Sequence, residues 1–561
     1  MREQARWFLL AVAAAALGAC ASRPAALELA NRPPETAQAC ADWRWIAVLD
    51  RPAATCPQAR SGWKVERLSR LDVQSQSDQR EKGGAYAAAA ASDRDRKPAA
   101  NAPSPQEAIA QLSRFCVYEV ADGAQKARFP PVANPAVVRL DQDCAALAVA
   151  AAPAIETLDW QPLAADFLAQ VGKPAVPLAI KRERGVRLAF LDTQPTDDFR
   201  ASTPPGNSLH GFTLAHIARQ LVCSPAESET CAARITTRLA LPLTTFDPHS
   251  RARTYAGRNG GYIGTQRDLA EAIIAEVDAW SAELDRPNAP QHLVLNLSLA
   301  WDPRLFAGLD EAQVADLRAG AQGVYRALQY AASRDVLVLA AAGNRKTCPD
   351  VSQDGPLLPA AWEIGGPRDA SCGEASPRLV YAVGGLERGD QPVWNARPRS
   401  MPRRAAYADN AVVPAGNPDV PTALYSGTSV ATAVASSIAA IVWDTLPDRG
   451  GPGVMKLVDG SGRALGLGAD FWPGVANGSL APPPVPKVRR LSLCDALRAA
   501  CDESGPSACP IPPEPCPPLP AARELAGLSV DHDLPDTCQP WVFPQPEDPP
   551  CPTCYGDPPR R

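Results

Sequence analysis

Val336-Leu-Val-Leu-Ala-Ala-Ala-Gly-Asn344 is an unbroken apolar run that stops in a Gly-Asn turn. Apolar residues without polar alternation read as a strand buried on both faces, the kind found inside parallel sheets. Just before it, the stretch from Val314 to Ala332 puts Val314, Leu317, Ala321, Val324 and Leu328 along one face of a helix. The same alternation recurs further out. Leu269 to Leu284 has helical periodicity and leads into a buried strand, Leu293-Val-Leu-Asn-Leu-Ser298. Upstream, Val186-Arg-Leu-Ala-Phe-Leu191 and Ile235 to Leu243 read as strands. Strands alternating with helices over about 183 to 445 predict an α/β domain on a mainly parallel sheet. Catalytic groups in such sheets gather at the carboxyl ends of the strands.

The rest of the chain bounds this domain. A length of 561 residues exceeds one ordinary core and predicts two or three domains. With 46% hydrophobic and 21% charged residues the balance is that of a globular protein. The 59 prolines must therefore be concentrated locally, and they are, beyond about 474. Residues 70 to 105 are rich in Ser, Gln, Asp, Arg, Lys and Ala and nearly free of large apolar residues. They cannot bury enough surface to offset their ordering entropy and read as a flexible linker. Residues 41 to 49 could form a strand. Globular character returns over 106 to 178, with a strand at Phe115 to Val120 and helical spacing at Leu163 to Val171. This stretch carries no identifiable chemistry and reads as an accessory or pro-region. In the C-terminal part only Leu491 to Ala500 looks helical. The net charge of −5, with no basic stretch interleaved with aromatics, argues against nucleic acid as a partner.

The first twenty residues bear on compartment. Arg2 and Arg6 precede an apolar run from Trp7 to Leu17, too short for a comfortable membrane span and suited to a secretory signal. Leu17-Gly-Ala-Cys20 resembles a bacterial lipobox. That resemblance implies cleavage before Cys20 and a lipid on its sulfur, hence an exported, membrane-anchored protein of the cell envelope. Ala21 points by the same analogy to the outer membrane. A plain signal peptide or a short uncleaved anchor is the alternative. Sixteen cysteines suit an oxidising compartment. Sequence proximity suggests the pairs Cys40–Cys56, Cys223–Cys231, Cys348–Cys372 and Cys494–Cys501, though spacing alone cannot fix connectivity. Cys551-Pro-Thr-Cys554 has redox-motif spacing but lies in a proline-rich tail, where a disulfide cap is the better reading.

Four short stretches carry candidate chemistry. Ser426-Gly-Thr-Ser-Val-Ala-Thr432, followed by an apolar run, sets Ser429 at a helix start, where backbone N–H groups point outward. Leu209-His-Gly-Phe-Thr-Leu-Ala215 sets His210 at another helix start, while His216 should point away. Asp192 ends the strand that begins at Val186. Asn344 follows the strand that begins at Val336, after small residues that let a substrate approach the backbone, and its amide is a neutral donor suited to an oxyanion. Each alone has an ordinary explanation: a Ser/Thr cap, a core histidine, a loop carboxylate, a Gly-Asn turn.

Together the four, in the order Asp, His, Ser, closely resemble the subtilisin-like serine peptidases. The blocks are Leu191-Asp-Thr193, His210-Gly211 with Leu214-Ala215, Ala341-Ala-Gly-Asn344 and Gly427-Thr-Ser-Val-Ala431. The resemblance implies a three-layer α/β fold with a mainly parallel central sheet over about 181 to 473. It would be preceded by a lipid-anchored segment and linker (20 to 105) and a small accessory or pro-region (106 to 180), and followed by a Pro/Cys-rich extension (474 to 561). It implies Ser429 as nucleophile, His210 as base, Asp192 as its orienting carboxylate, and Asn344 with the Ser429 N–H as oxyanion donors. It implies that Tyr262-Ile263-Gly264 and Ser298-Leu299-Ala300, with Gly343, border an extended polypeptide substrate bound by strand addition. No cofactor or metal site follows from the resemblance. Gln194 stands where the family has glycine, Phe212 where it has threonine, and Ala433 where it has proline. Those departures keep a second function open, a non-cleaving peptide-binding or scaffold lipoprotein on the same fold.

Overall fold

The structure, a computed structural model, describes residues 40–69 except 54, 103–148 except 122–130 and 133, 160–174, 185–194, 210–223, 230–301 except 258, 259 and 262, 314–344, 355–365, 378–466 except 418 and 419, 488–505, 509, 511 and 516. The leader with Cys20, the pair Cys348 and Cys372, Tyr262 and the Cys551–Cys554 motif lie outside them.

In chain order the elements are β1 (Cys40–Leu49), β2 (Trp63–Arg67), α1 (Pro105–Leu112), β3 (Phe115–Val120), β4 (Val137–Ala148), α2 (Trp160–Val171), β5 (Val186–Asp192), α3 (His210–Val222), β6 (Ala233–Leu239), β7 (Ile263–Thr265), α4 (Gln266–Ser281), β8 (His292–Leu297) and β9 (Leu299–Ala300). They continue with α5 (Ala319–Ala332), β10 (Leu337–Ala341), α6 (Ala361–Gly365), β11 (Tyr381–Leu386), β12 (Arg404–Tyr407), β13 (Ala411–Asn417), β14 (Val420–Tyr425), α7 (Thr428–Thr445), α8 (Gly451–Ser461), β15 (Arg463–Leu465), β16 (Val488–Arg490) and α9 (Leu493–Ser504).

The central sheet runs β15-β16-β12-β11-β10-β8-β5-β6. Every pair in it is parallel except the edge pair β15–β16. Its inner strands are mostly apolar because helices cover both faces: β5, β8, β10 and β11 are buried along their whole length, with Arg187 on β5 paired to Glu276 and Glu283. One face packs on α4, α5 and α6 through residues such as Leu269, Ile273, Val324 and Trp362. The other packs on α2, α3, α7, α8 and α9 through Phe167, Leu214, Val434, Val454 and Leu497. The three-layer α/β architecture is therefore present. Helix α7 is long and apolar enough to cross a membrane by composition, but it is the buried core helix of this layer. Two of its hydroxyls are satisfied within the helix, Thr432 Oγ1 donating to Thr428 O at 2.7 Å and Ser437 Oγ to Ala433 O at 2.8 Å.

The N-terminal strands form a second, antiparallel sheet, β2-β3-β1-β4-β7, with β9 also on β4. Residues before 70, expected as a segment separate from 106 to 180, thus share one sheet with it. Ile46, Val48, Ile109, Leu112, Phe115 and Val117 join the same core as α4 and α5. Other expected boundaries shift as well. Helix α2, assigned ahead of the peptidase unit, packs into its α3/α7 face, and β16 and α9, assigned to the C-terminal extension, complete its sheet and core. The helix expected from Val314 begins only at Ala319, after a 3-10 turn at Val314–Asp316. Its start is fixed from outside: Arg318 supplies no side-chain cap, and the Asp141 carboxylate on β4 accepts from Ala319 N at 2.8 Å.

Disulfide pairing corrects the sequence expectation. Cys223–Cys231 forms as expected. Cys40 pairs with Cys144 instead of Cys56, which bonds Cys116. In the sheet, β1 lies between β3 and β4, so its cysteine finds a cross-strand partner rather than a sequence neighbour. Cys494–Cys501 does not form either. Both sit on α9, where seven residues of rise separate them by roughly 10 Å, too far for a bridge. They bond Cys516 and Cys509.

Asp143, also on β4, is fully buried. Its carboxylate accepts from Arg267 N on α4 at 3.2 Å and faces Arg44 Nη1 at 3.5 Å, with Asp268 close to the same arginine. Burial outweighs the pull of Arg44 and, with the nearby Asp268, pushes the Asp143 carboxyl up to about 6. A carboxyl raised in the folded state favours folding when protonated. Its contribution is present below the ordinary carboxylate range and is lost as pH rises through about 6. The N-terminal sheet should therefore be more stable near pH 5 than at pH 7.5 by roughly 1–3 kcal/mol. Asp143→Asn should flatten that difference in pH-dependent thermal unfolding. An unchanged pH slope in the variant would disprove the assignment.

Candidate active site

Strand β5 delivers Asp192 at its carboxyl end, and α3 begins eighteen positions later with His210. The imidazole Nδ1 lies 2.7 Å from Asp192 Oδ2, both groups almost wholly buried. The other carboxylate oxygen accepts from Thr193 N at 2.7 Å, which fixes the carboxylate plane. An ionised carboxylate at Nδ1 requires the proton there, leaving Nε2 with a lone pair. Glycine beside the histidine is a packing requirement: a Cβ at Gly211 would sit 2.3 Å from Thr193 O. Gly211 N donates to Thr193 Oγ1 at 2.9 Å, so the Asp turn and the His helix are locked together.

Helix α7 packs against α3 and carries Ser429 in its first turn. Gly427 precedes it with φ +136, a conformation glycine adopts readily, and a Cβ there would lie 2.4 Å from Asn344 Nδ2. Asn344 follows β10. Its Oδ1 accepts from Thr428 N at 2.9 Å and Thr428 Oγ1 at 2.8 Å. Because a backbone N–H must face oxygen, this network fixes the amide orientation and leaves Nδ2 as a donor beside the α7 N-terminus. Gly343, at φ +105, donates its N–H to Thr428 Oγ1 at 3.2 Å and has Leu357 packed over it. Thr428 is thus a positioning residue that the motif reading did not single out.

Ser429 Oγ donates to Ser298 O at 3.3 Å. Ser298 lies between β8 and β9 and donates its single hydroxyl proton to Asn296 Oδ1 at 2.7 Å, with Ser429 O a longer neighbour of the same oxygen at 3.3 Å. Asn296 Nδ2 in turn reaches Ser436 Oγ on α7 at 3.2 Å. This buried polar ladder sets the height of α7 against β8.

Of the departures, Gln194 is exposed. Phe212 stacks on His216 with ring centroids 6.5 Å apart, and His216 itself meets Gln220. Ala433 continues α7 without interruption.

The expected substrate strands, β7 with Ile263 and Gly264 and β9 with Leu299 and Ala300, flank a gap that is filled. The end of β4 pairs antiparallel with both: Ala145 with Thr265, Ala146 with Gly264, Leu147 with Ile263 and Ala300, Ala148 with Leu299. The chain's own backbone occupies the position of an added strand. Nothing in the composition of Ala145-Ala-Leu-Ala148 marks this, since the signal is a register that only folding creates. Among the described residues no group of three or more His, Cys, Asp or Glu side chains is arranged to hold a metal ion.

Residues 263–457 match the subtilase family, Peptidase S8. Asn344 and Ser429 fall inside that segment, Asp192 and His210 ahead of it. The match covers less than half of the chain and supports serine-type peptidase activity in general. Similar solved structures include the prenylagaramide maturation protease PagA, at 18% identity over 57% of this chain and 95% of that one, TM-score 0.34. The patellamide maturation protease PatA is 19% identical over 57% and 98%, TM-score 0.35, and Sphericase 16% over 53% and 89%, TM-score 0.35. No curated protein matches the chain.

Proposed function

We propose that the protein is a serine endopeptidase that cleaves extended polypeptides through Ser429, His210 and Asp192, with Asn344 and the Ser429 N–H as oxyanion donors. The observation that carries this reading is the buried Asp192–His210 pair, 2.7 Å apart, with His210 on a helix packed against α7, which presents Ser429 in its first turn next to the oriented Asn344 amide. Ser429 Oγ, which donates to the Ser298 carbonyl in this structure, would have to turn to His210 Nε2 as its proton acceptor in the reaction. The Ser429 oxygen then attacks the peptide carbonyl while Nε2 takes its proton. The negative charge on the carbonyl oxygen is held by Asn344 Nδ2 and the Ser429 N–H. The imidazolium, stabilised by Asp192, returns the proton to the leaving amine, and water repeats the sequence on the acyl-enzyme. Substrate would add as a strand between β7 and β9, with Tyr262, Ser298 and Gly343 at the border. The reading includes export to the cell envelope and lipid anchoring through Cys20 at the outer membrane.

A fluorophosphonate reagent should label Ser429 in the chain incubated to release its β4 strand, and should not label Ser429→Ala. Mass spectrometry of both proteins after incubation with a denatured protein mixture reports cleavage. Equal labelling of the two, or none in either, would sink the peptidase. The filled β7–β9 gap together with Gln194, Phe212 and Ala433 favours the second reading, a peptide-binding lipoprotein that does not cleave. Peptide binding without Ser429-dependent products is its signature.

Asn344→Ala removes one oxyanion donor and should lower kcat by about 10^2- to 10^3-fold with little change in KM. Parallel losses in binding and turnover would assign Asn344 to ground-state contact instead.

A further inference from the structure

Strand β4 enters the β7–β9 gap directly after Cys144, and Cys144 is bonded to Cys40 at the start of β1. The β1–β4 ladder is broken at this point. Cys40 faces Cys144, but the next pair is Trp45 with Gln142, across a register shift. The disulfide therefore stands where backbone pairing lapses, one residue before the strand commits to the cleft. A second disulfide, Cys56–Cys116, ties the β1–β2 connection to β3. Both bonds join residues before 70 to residues after 102, so two chain segments separated by the linker are bound into one sheet twice over. The carboxylates of Asp141 and Asp143 add non-covalent anchors on the N-termini of α5 and α4. Residues 145–148 pair with β7 on one side and β9 on the other, and their covalent attachment sets the effective concentration at which they hold the gap against another strand.

We propose that the Cys40–Cys144 disulfide is the clamp that keeps residues 145–148 between β7 and β9, so that the thiol–disulfide state of the N-terminal sheet sets whether the site admits another polypeptide. The proposal rests on the peptidase reading only for its consequence; the clamp itself is a statement about strand docking. Cys144 is wholly buried and Cys40 half-buried, so a dithiol reductant attacks at the Cys40 sulfur. Its thiolate bonds to Cys40 Sγ, the S–S bond breaks, and the Cys144 thiolate leaves and takes up a proton. The second thiol of the reductant then displaces Cys40 as a thiol. Two electrons and two protons pass to the protein and the dithiol becomes a disulfide.

The test uses the full chain carrying Ser429→Ala, which cannot cut itself. Amide hydrogen exchange at Gly264, Leu299 and Ala300 is compared with and without Cys40→Ser/Cys144→Ser, because Ile263 N donates to Leu243 O at 3.1 Å and Thr265 N to Asp268 Oδ2 at 2.8 Å and neither reports on β4. Exchange should rise about tenfold or more in the clamp variant and stay at the parent level in Cys223→Ser/Cys231→Ser. In a second arm the chain with its cysteines intact is titrated with dithiol and alkylated. Opening of β7 and β9 should track alkylated Cys40, which keeps the test valid if the clamp variant fails to fold. Unchanged exchange when Cys40 is alkylated, or opening that tracks Cys223, overturns the clamp. Fluorophosphonate labelling of the Ser429-containing chain is read separately. Opening of the gap with no labelling leaves the clamp standing and removes the peptidase, whereas labelling without dependence on Cys40 does the reverse.

Discussion

His210→Ala is expected to lower turnover on a denatured protein by about 10^4- to 10^6-fold, with Ser429→Ala added to it costing almost nothing more. The reason is the division of labour at the site. Asp192 is fully engaged, one oxygen on Thr193 N and the other on His210 Nδ1, so it cannot replace the imidazole as base. His216, the other histidine of α3, is tied to Gln220 and has its pKa lowered by burial and by Arg219. A serine with no base is a poor nucleophile, and a base with no serine has no proton to take, so the two losses should overlap. Steady-state hydrolysis by the two single variants and the double variant, after release of the β4 strand, measures this. Additive losses would mean that the two side chains act separately and the triad reading fails.

Arg404→Ala should destabilise the fold by about 3–5 kcal/mol and lower Tm by several degrees. Arg404 has no exposed surface on β12. Its Nε and Nη2 reach Asp459 at 2.7 and 2.8 Å, and its Nη1 and Nη2 reach Glu363 at 2.7 and 2.9 Å. Nη1 also donates to Ala382 O at 3.0 Å, and the guanidinium stacks 5.0 Å from the Tyr381 ring. The two carboxylates hold the Arg404 pKa above its ordinary value despite complete burial. Truncation would strand both carboxylates, Glu363 with almost no access to water. Arg404→Met with Glu363→Leu and Asp459→Leu should lose much less, because all three charges go together. Thermal or denaturant unfolding distinguishes the two cases. An equal loss in the triple variant would place the effect in packing.

The residues behind the peptidase and stability variants differ in how visible they were beforehand. The central strands were legible because continuous burial on two faces demands mostly apolar residues, as in β10. The candidate site was legible because its groups follow strand ends or open helices, positions that local sequence marks. Thr428 was less visible: its role as the acceptor-binding partner of Asn344 depends on two loops meeting across 84 positions. Arg404 was invisible, since a charged residue in a strand reads as exposed until Glu363 and Asp459 are brought to it.

By itself, the sequence determined the alternation of strands and helices, the buried character of the core strands, and the four short blocks with their order. These are properties of near neighbours in the chain, where periodicity and turn chemistry act. The tertiary structure alone decided that Cys40 meets Cys144, why α5 starts at Ala319, and that β4 fills the gap between β7 and β9. Each of these joins residues far apart along the chain. Their meeting depends on how the helices and sheets pack, and a one-residue slip in strand register would undo it.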